Sequence, residues 1–284
     1  MNKKVIITAD SPSDISLAFQ QQKGIDEIVP LHIVLGDDVY DDGSTISVDE
    51  MLSFYDKTGT LPKTSAVSIA EYNTVFQKYP AEEYDVVHFS LSSKISATHY
   101  NAVLASKNFE NVYVIDSEAL SLTIALMVLD ACDMRGEGRA AQEIYDYFTQ
   151  HKAKYKTAFI IDSLEFLHKG GRCSSLTALG ANVLKIKPCI VMENGSLSVG
   201  KKYRGKLELC QMQYLKDRIE LLGDALDKKR MFIGYTSGMN PKQLETIQKE
   251  VKRYGFREVN TLQVGCTITA HCGKNTFAVY IKEK

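Results

Sequence analysis

The sequence predicts an α/β protein of two lobes, the first a three-layer domain on a parallel sheet and the second a mixed α/β domain. Three observations lead there. Through the first half, short β-branched runs alternate with polar loops and helical periodicities, the order expected of parallel strands covered by helices. The 284 residues suit one large or two modest domains, at about 100 to 200 residues per domain. In the second half an Asn194-Gly195 hairpin stands among βαβ-like units, so that sheet is mixed. The boundary is placed near residue 155, giving lobes of 1–155 and 156–284.

The first strand is read over residues 5–7. It empties into TADSPSDIS, where Asp10, Ser11, Ser13 and Asp14 make a polar turn before Leu17 and Phe19. Residues 28–35 read as one second strand, turned by Gly36, Asp37 and Asp38. Ser47 stands three residues before Glu50, a capping box that opens a helix with Met51, Leu52, Phe54 and Tyr55 on its apolar face. Pro62 ends that region. Lys63, Thr64 and Ser65 follow in an extended or looping segment, and Ser68 with Glu71 makes a second capping box for a helix through Val75 and Phe76. Residues 86–89 and 112–115 are the next strands, the latter ending in Asp116 and Ser117 before a helical run over 119–134.

Gly136 and Gly138 interrupt the pattern, and an amphipathic helix over 140–155 bridges into the second lobe. Residues 158–161 form a strand. SLEFLHKGGR then reads as one or two helical turns stopped by Gly170 and Gly171, natural left-handed C-caps, with Arg172 emerging after the stop. Residues 176–186 read as helical. Residues 190–192 and 197–199 flank Asn194-Gly195, the residues of a type I′ turn. A long helix over 206–222, a strand over 231–235 and a helix over 241–254 with Pro241 in its first turn follow. The chain closes with a strand over 258–263, a glycine-bounded loop GCTITAHCGKNT and a strand over 277–281.

Composition narrows the function. With 44% hydrophobic and 24% charged residues the chain can build a substantial core without disulfides or metals. A formal net charge of −1 carries no basic surplus for nucleic acid or anionic membranes. No apolar run approaches the roughly 20 residues of a membrane span, and MNKKVIITAD leads into a strand, so a cytosolic protein is expected. The six cysteines are scattered without a CxxC pair, which argues against a zinc ribbon or a disulfide framework. Cys266 and Cys272 flank His271 but supply too few ligands for a metal site, so neither metal nor cofactor is expected.

The chemistry-bearing residues fall in three clusters: Thr64-Ser65, the serine loop, and His271. In VVHFSLSSKISATHY, Ser90, Ser92, Ser93, Ser96 and Thr98 fall within nine positions at the carboxyl end of a strand, where open parallel sheets bind ligands. Free backbone N–H groups and the following helix dipole favour an anion there, although serines also cap helices and fill turns. By default His271 is a structural histidine and Arg172 an ion-paired surface residue. A hydrolase would use Ser93 or Ser96 as nucleophile, His271 as base and Asp116 as orienter, but G-x-S-x-G is absent. Neither a P-loop nor a dinucleotide fingerprint occurs.

The strings TADSPSDIS, LPKTSAVS, SLSSKISATHYNA, VIDS, FLHKGGRCS, LKIKP, YRGK and GCTITAHCG occur in series from Thr8 to Gly273. In that order and spacing the chain resembles the DegV family, the FakB-type fatty-acid-binding proteins. The resemblance implies two α/β lobes enclosing one long-chain fatty acid, its tail in an apolar tunnel and its carboxylate among hydroxyls near the lobe interface. It further implies a bacterial cytoplasmic carrier of phospholipid metabolism, not itself an enzyme, that presents the carboxylate to a separate fatty acid kinase. By motif, Thr64, Ser93 and His271 are the head-group residues, with Ser65, Ser92 and Ser96 as neighbours, and Arg172 and Arg204 meet the phosphoryl group or the kinase.

The sequence departs from the family pattern at Ala97, Val67, Leu122-Thr123, Lys274 and Asn275, none of which removes a hydroxyl, His271 or Arg172. The carrier reading is physically coherent. Burying about 14 methylenes at about 0.8 kcal/mol each gives roughly 11 kcal/mol before association costs, against about 1.5 to 3 kcal/mol for each hydrogen bond to the charged head. The tail supplies affinity and the hydroxyls supply orientation. A third reading is a carrier of some other apolar acid that meets no kinase.

Overall fold

The computed structural model describes residues 3–175 and 186–284. Strand β1 (Lys4–Asp10) leads through a 3-10 turn to helix α1 (Leu17–Lys23), capped by the Ser16 hydroxyl at one end and by left-handed Gly24 at the other. The single strand expected over 28–35 is instead two. Strand β2 (Glu27–Val29) pairs with β1, and β3 (His32–Leu35) leaves for another sheet, because Pro30 between them has no N–H to continue a ladder. Strand β4 (Asp38–Asp41) turns back on β3 through Gly36, as the sequence indicates.

Both capping boxes form: Ser47 with Glu50 opens α2 (Val48–Thr58), and Ser68 with Glu71 opens α3 (Ile69–Phe76). Between them β5 (Lys63–Ser65) adds to the other edge of β3. Strand β6 (Tyr84–Ser90), helix α4 (Thr98–Ser106) and strand β7 (Val112–Asp116) complete a parallel sheet ordered β2-β1-β6-β7. Helix α5 (Leu122–Gly136) starts three residues later than expected. Residues 117–121 form a hydrogen-bonded loop with Glu118 and Ser121 at positive φ, closed by the Ser117 hydroxyl against the Ala119 amide. Helix α6 (Ala141–His151) is also shorter than the 140–155 helix expected; a 3-10 turn over Lys152–Lys154 leads into β8 (Tyr155–Lys156).

Strand β9 (Ala158–Ile160) is followed by α7 (Glu165–Gly170), which ends at Gly171 with φ 69° as the glycine pair indicates. The helix expected over 176–186 falls on residues outside those described, apart from Ile186, which opens a strand. Strands β10 (Ile186–Glu193) and β11 (Ser196–Arg204) form the hairpin, with Asn194 and Gly195 both at positive φ. Helix α8 (Leu207–Leu222), strand β12 (Arg230–Tyr235), helix α9 (Pro241–Lys252) and strand β13 (Glu258–Gln263) follow. The expected GCTITAHCGKNT loop contains a helix, α10 (Cys266–Cys272), before the last strand, β14 (Phe277–Lys282). The second sheet is mixed, ordered β11-β10-β9-β14-β12-β13, with β8 on β14.

Helix α5 joins the two sheets. Residues 122–131 are all buried, and the helix packs on β1 of the first sheet and on β12 and β14 of the second, which suits a stretch that is apolar on every side. One apolar core therefore runs from Ile6, Ile7 and Phe89 to Phe159, Phe232 and Tyr280. The one charge in the buried run of α5, Asp130, is matched by Arg230 at 3.0 Å and Lys282 at 2.5 Å, and accepts from the Tyr155 hydroxyl at 2.7 Å.

Candidate functional site

A cavity of about 590 Å³ opens where the carboxyl ends of the first sheet meet the second. Its position follows from the strands. β6 delivers Leu91 and the residues of the serine loop, β7 delivers Leu120, and β5 ends in Thr64 and Ser65. From the other sheet come Phe159, Leu197 and the residues around α7 and α10.

The serine loop leaves β6 at a fixed angle because Asp10, at the end of β1, holds it. One Asp10 oxygen accepts from the Leu91 amide at 2.9 Å; the other accepts from Tyr72 Oη at 2.5 Å and His88 Nε2 at 3.1 Å. Thr8 Oγ1 lies 2.9 Å from His88 Nδ1, so a fully buried network has every member bonded. Within the loop the serines take different jobs. Ser92 is buried and donates to the Gly195 carbonyl at 2.7 Å, tying the loop to the hairpin turn. Ser93 is exposed; its amide donates to Asp116 at 3.1 Å. Burial pushes the Asp116 carboxyl up, but the bonds from Ser93 and the Glu118 amide outweigh it and hold the group below its usual range. Ser96 Oγ lies 2.7 Å from Thr98 Oγ1 at the start of α4 and also lines the cavity. Ala97 has φ −74°, an ordinary helical value that needs no glycine.

Helix α10 supplies the imidazole. Its first amides are held by two buried carboxylates from the first half of the chain: Asp14 accepts from Gly265 N at 2.7 Å, and Asp42 from Cys266 N at 2.9 Å and Thr267 N at 3.3 Å. Asp42 also accepts from Ser11 Oγ at 2.9 Å, and Asp14 from Ser121 Oγ at 2.5 Å. Burial pushes both carboxyls up, Asp14 to about 8. At the other end of the helix, His271 Nε2 lies 2.9 Å from Thr64 Oγ1. Burial, and then the charge of Arg172, pushes the imidazole down to about 4, so it is neutral at physiological pH.

The tautomer follows from what surrounds Nδ1, a buried atom without a partner among the described residues that faces Gly170 so closely that a Cβ there would stand 2.6 Å away. An orphaned N–H is rarer than an orphaned lone pair, so the proton belongs on Nε2, which donates to Thr64 Oγ1. That leaves the Thr64 hydroxyl proton free to donate into the cavity. Arg172 lines the same cavity, is exposed, and donates to the Gly170 carbonyl at 2.6 Å without a carboxylate partner among the described residues.

The structure thus brings Thr64, Ser65, Ser93, Ser96, His271 and Arg172 to one cavity, while Ser92 serves the turn beneath it. Arg204 is not among the lining residues; it pairs with Ile186 at the open end of the hairpin, away from the Asn194-Gly195 turn. The sequence reading missed Lys94, an exposed second cation lining the cavity, although it stands inside SLSSKIS. It also missed the apolar wall of Leu31, Leu91, Leu120, Phe159, Leu167 and Ile268, which comes from six separate segments. Among the described residues no group of His, Cys, Asp and Glu is arranged to hold a metal ion, and no helix is long and apolar enough to cross a membrane.

Comparison with known proteins agrees with this architecture. The profile of the family described as "Uncharacterised protein, DegV family" matches residues 4–284. A Thermotoga maritima protein named fatty acid-binding protein is 31% identical over 290 residues, covering 99% of each chain. A Thermus thermophilus DegV family structure described by its fatty acid binding superposes with a TM-score of 0.88 at 24% identity, covering 99% of this chain and 100% of its own. A DegV family structure from Eubacterium eligens loaded with heptadecanoic acid gives 0.84 at 21% identity, covering 99% and 100%. At those two identities the likeness is one of fold. The family match over nearly the whole chain and the Thermotoga relative identify the chain as a member of the DegV family.

Proposed function

We propose that this protein binds one long-chain fatty acid, with its carboxylate at the Thr64–His271 pair and its tail against the apolar wall. The observation that carries the reading is the hydroxyl of Thr64, backed by a neutral imidazole at 2.9 Å and opening on a 590 Å³ cavity that Leu31, Leu91, Leu120, Phe159, Leu167 and Ile268 also line. A neutral relay from Nε2–H through Thr64 to a carboxylate orients the head without neutralising it. Arg172 and Lys94 add positive charge on exposed side chains. The name of the Thermotoga relative supports the same ligand class.

Thr64 is half-buried with His271 behind its hydroxyl, whereas Ser93 is exposed to water and bonds Asp116 through its amide, so Ser93 ranks second as a donor. The same bond disfavours the hydrolase alternative. In a triad the carboxylate orients the histidine, whereas here Asp116 holds Ser93, and His271 has Thr64 as its partner. The exposed head-group end of the cavity suits presentation of the carboxylate to a fatty acid kinase, which requires ATP and therefore the cytoplasm. Solvent extraction of the purified protein followed by mass spectrometry tests the carrier reading. A stoichiometric C14–C18 fatty acid is the expected result. Folded protein that releases none and takes up none on addition would sink it.

A further inference from the structure

A second concavity, of about 560 Å³, shares no lining residue with the first and is separated from it by the hairpin turn: Asn194 lines the second, while Gly195 is tied to Ser92. It lies between the Lys152–Lys154 turn, β8, the end of β10 and the last turns of α8. Six charged side chains line it, and four neutralise one another, Lys152 with Glu118 at 2.9 Å and Lys156 with Glu283 at 3.1 Å. Of the other two, Glu193 is exposed, and Arg218 is only 8% exposed.

Among the described residues Arg218 has no counterion. Its Nε is fully buried without an acceptor, and no hydrogen bond or ion pair reaches the guanidinium among the described residues. The acid next to it in sequence, Asp217, is committed to Lys201 at 2.5 Å, Tyr203 at 2.7 Å and Gln213 at 2.8 Å. A buried cation without a partner is costly, and a planar guanidinium is built to take a carboxylate through two parallel N–H bonds. The hydroxyls of this cavity are engaged elsewhere, Tyr155 on Asp130 at 2.7 Å and Thr157 on Thr123 at 2.7 Å, which leaves the guanidinium as the recognising group.

We propose that this cavity binds a small organic monocarboxylate, its carboxylate forked onto Arg218 and its apolar body along Val191, Met192 and Leu221. Glu193 is exposed to water, whereas the buried Arg218 calls for one negative charge, and three acids in the lining oppose a phosphate dianion. The volume lies within the roughly 300 to 1,000 Å³ of small-molecule sites. The depth of Arg218 favours a small molecule over the side chain of a docked protein.

The Met192 methyl reports on this cavity, so the test is a titration of protein carrying 13C-methyl methionine, with Met192 assigned through Met192→Leu. 4-Phenylbutyrate should shift the resonance saturably. 4-Phenylbutyramide and inorganic phosphate at constant ionic strength should bind at least about tenfold more weakly, the order of effect of losing a charged pair. Arg218→Gln should cause a similar loss for the acid, and Arg218→Lys should restore part of it. Thr64→Val should leave the titration unchanged, which separates this proposal from the fatty acid reading. An unmoved Met192 methyl, equal response to acid and amide, equal affinity for phosphate, or unchanged binding in Arg218→Gln overturns it. If Arg218→Gln does not fold, the contrast between acid and amide in the wild-type protein decides.

Discussion

The two ends of α10 are built from opposite chemistry. At its start Asp14 and Asp42, both buried, take up the free amides of Gly265, Cys266 and Thr267, and further bonds to Ser11 and Ser121 occupy the carboxylates. At its end one imidazole nitrogen meets Thr64, the other meets no donor or acceptor among the described residues, and the space beyond is the cavity. A satisfied end fixes the helix; an under-bonded end leaves a donor for a ligand. The difference teaches that stability and recognition in this helix can be broken separately.

The largest effect is expected at the fixed end. Asp42→Ala strands the amides of Cys266 and Thr267 and the Ser11 hydroxyl, and thermal or denaturant unfolding should show a loss of about 3–5 kcal/mol. At the open end, Thr64→Val should weaken fatty acid binding by about 1.5–3 kcal/mol, or roughly ten- to a hundredfold, with unfolding free energy changed by less than about 1 kcal/mol. Ser93→Ala should lose less. Gly170→Ala places a methyl 2.6 Å from His271 Nδ1 and should turn the ring, weakening binding by about tenfold while Thr64 is intact.

The two ends also titrate with opposite sign. Asp14, raised to about 8 in the fold from the ordinary 3.8, binds more protons folded than unfolded, so its contribution to stability falls as pH rises between those values. His271, lowered to about 4 from 6.5, loses its contribution as pH falls through that window. The two slopes oppose each other between about pH 4 and 6.5, and only the Asp14 slope, at most about 1.4 kcal/mol per pH unit, remains from about 6.5 to 8. Denaturant unfolding against pH should show that decline in the wild-type protein and its removal in Asp14→Asn. The smallest effect is expected at Arg172, which is exposed: Arg172→Gln should weaken binding about two- to fivefold at low salt and less at high salt.

Local chemistry was legible in the sequence wherever it is decided within a few residues. Both capping boxes, the left-handed stop at Gly171 and the Asn194-Gly195 turn form as their residues indicate. What escaped was decided by distant partners. The residues of α10 read as a loop because glycines bound them, and the carboxylates that hold the helix stand 251 and 224 residues away along the chain. Ser92 looked like a head-group neighbour, yet its partner is a carbonyl 103 residues on. Pro30 divides two sheets inside one apolar run, because a residue without an N–H ends the β2 ladder and lets β3 pair elsewhere. Arg204 was assigned from a motif alone, and no property of a short string reports which end of a hairpin faces a cavity.

The head-group assignment is tested most directly by the carboxyl 13C resonance of bound [1-13C]palmitate. A single bound resonance is predicted, distinct from free palmitate, displaced in Thr64→Val and unchanged in Arg218→Gln. A bound resonance that Thr64→Val leaves where it was would contradict the placement of the carboxylate at the Thr64–His271 pair.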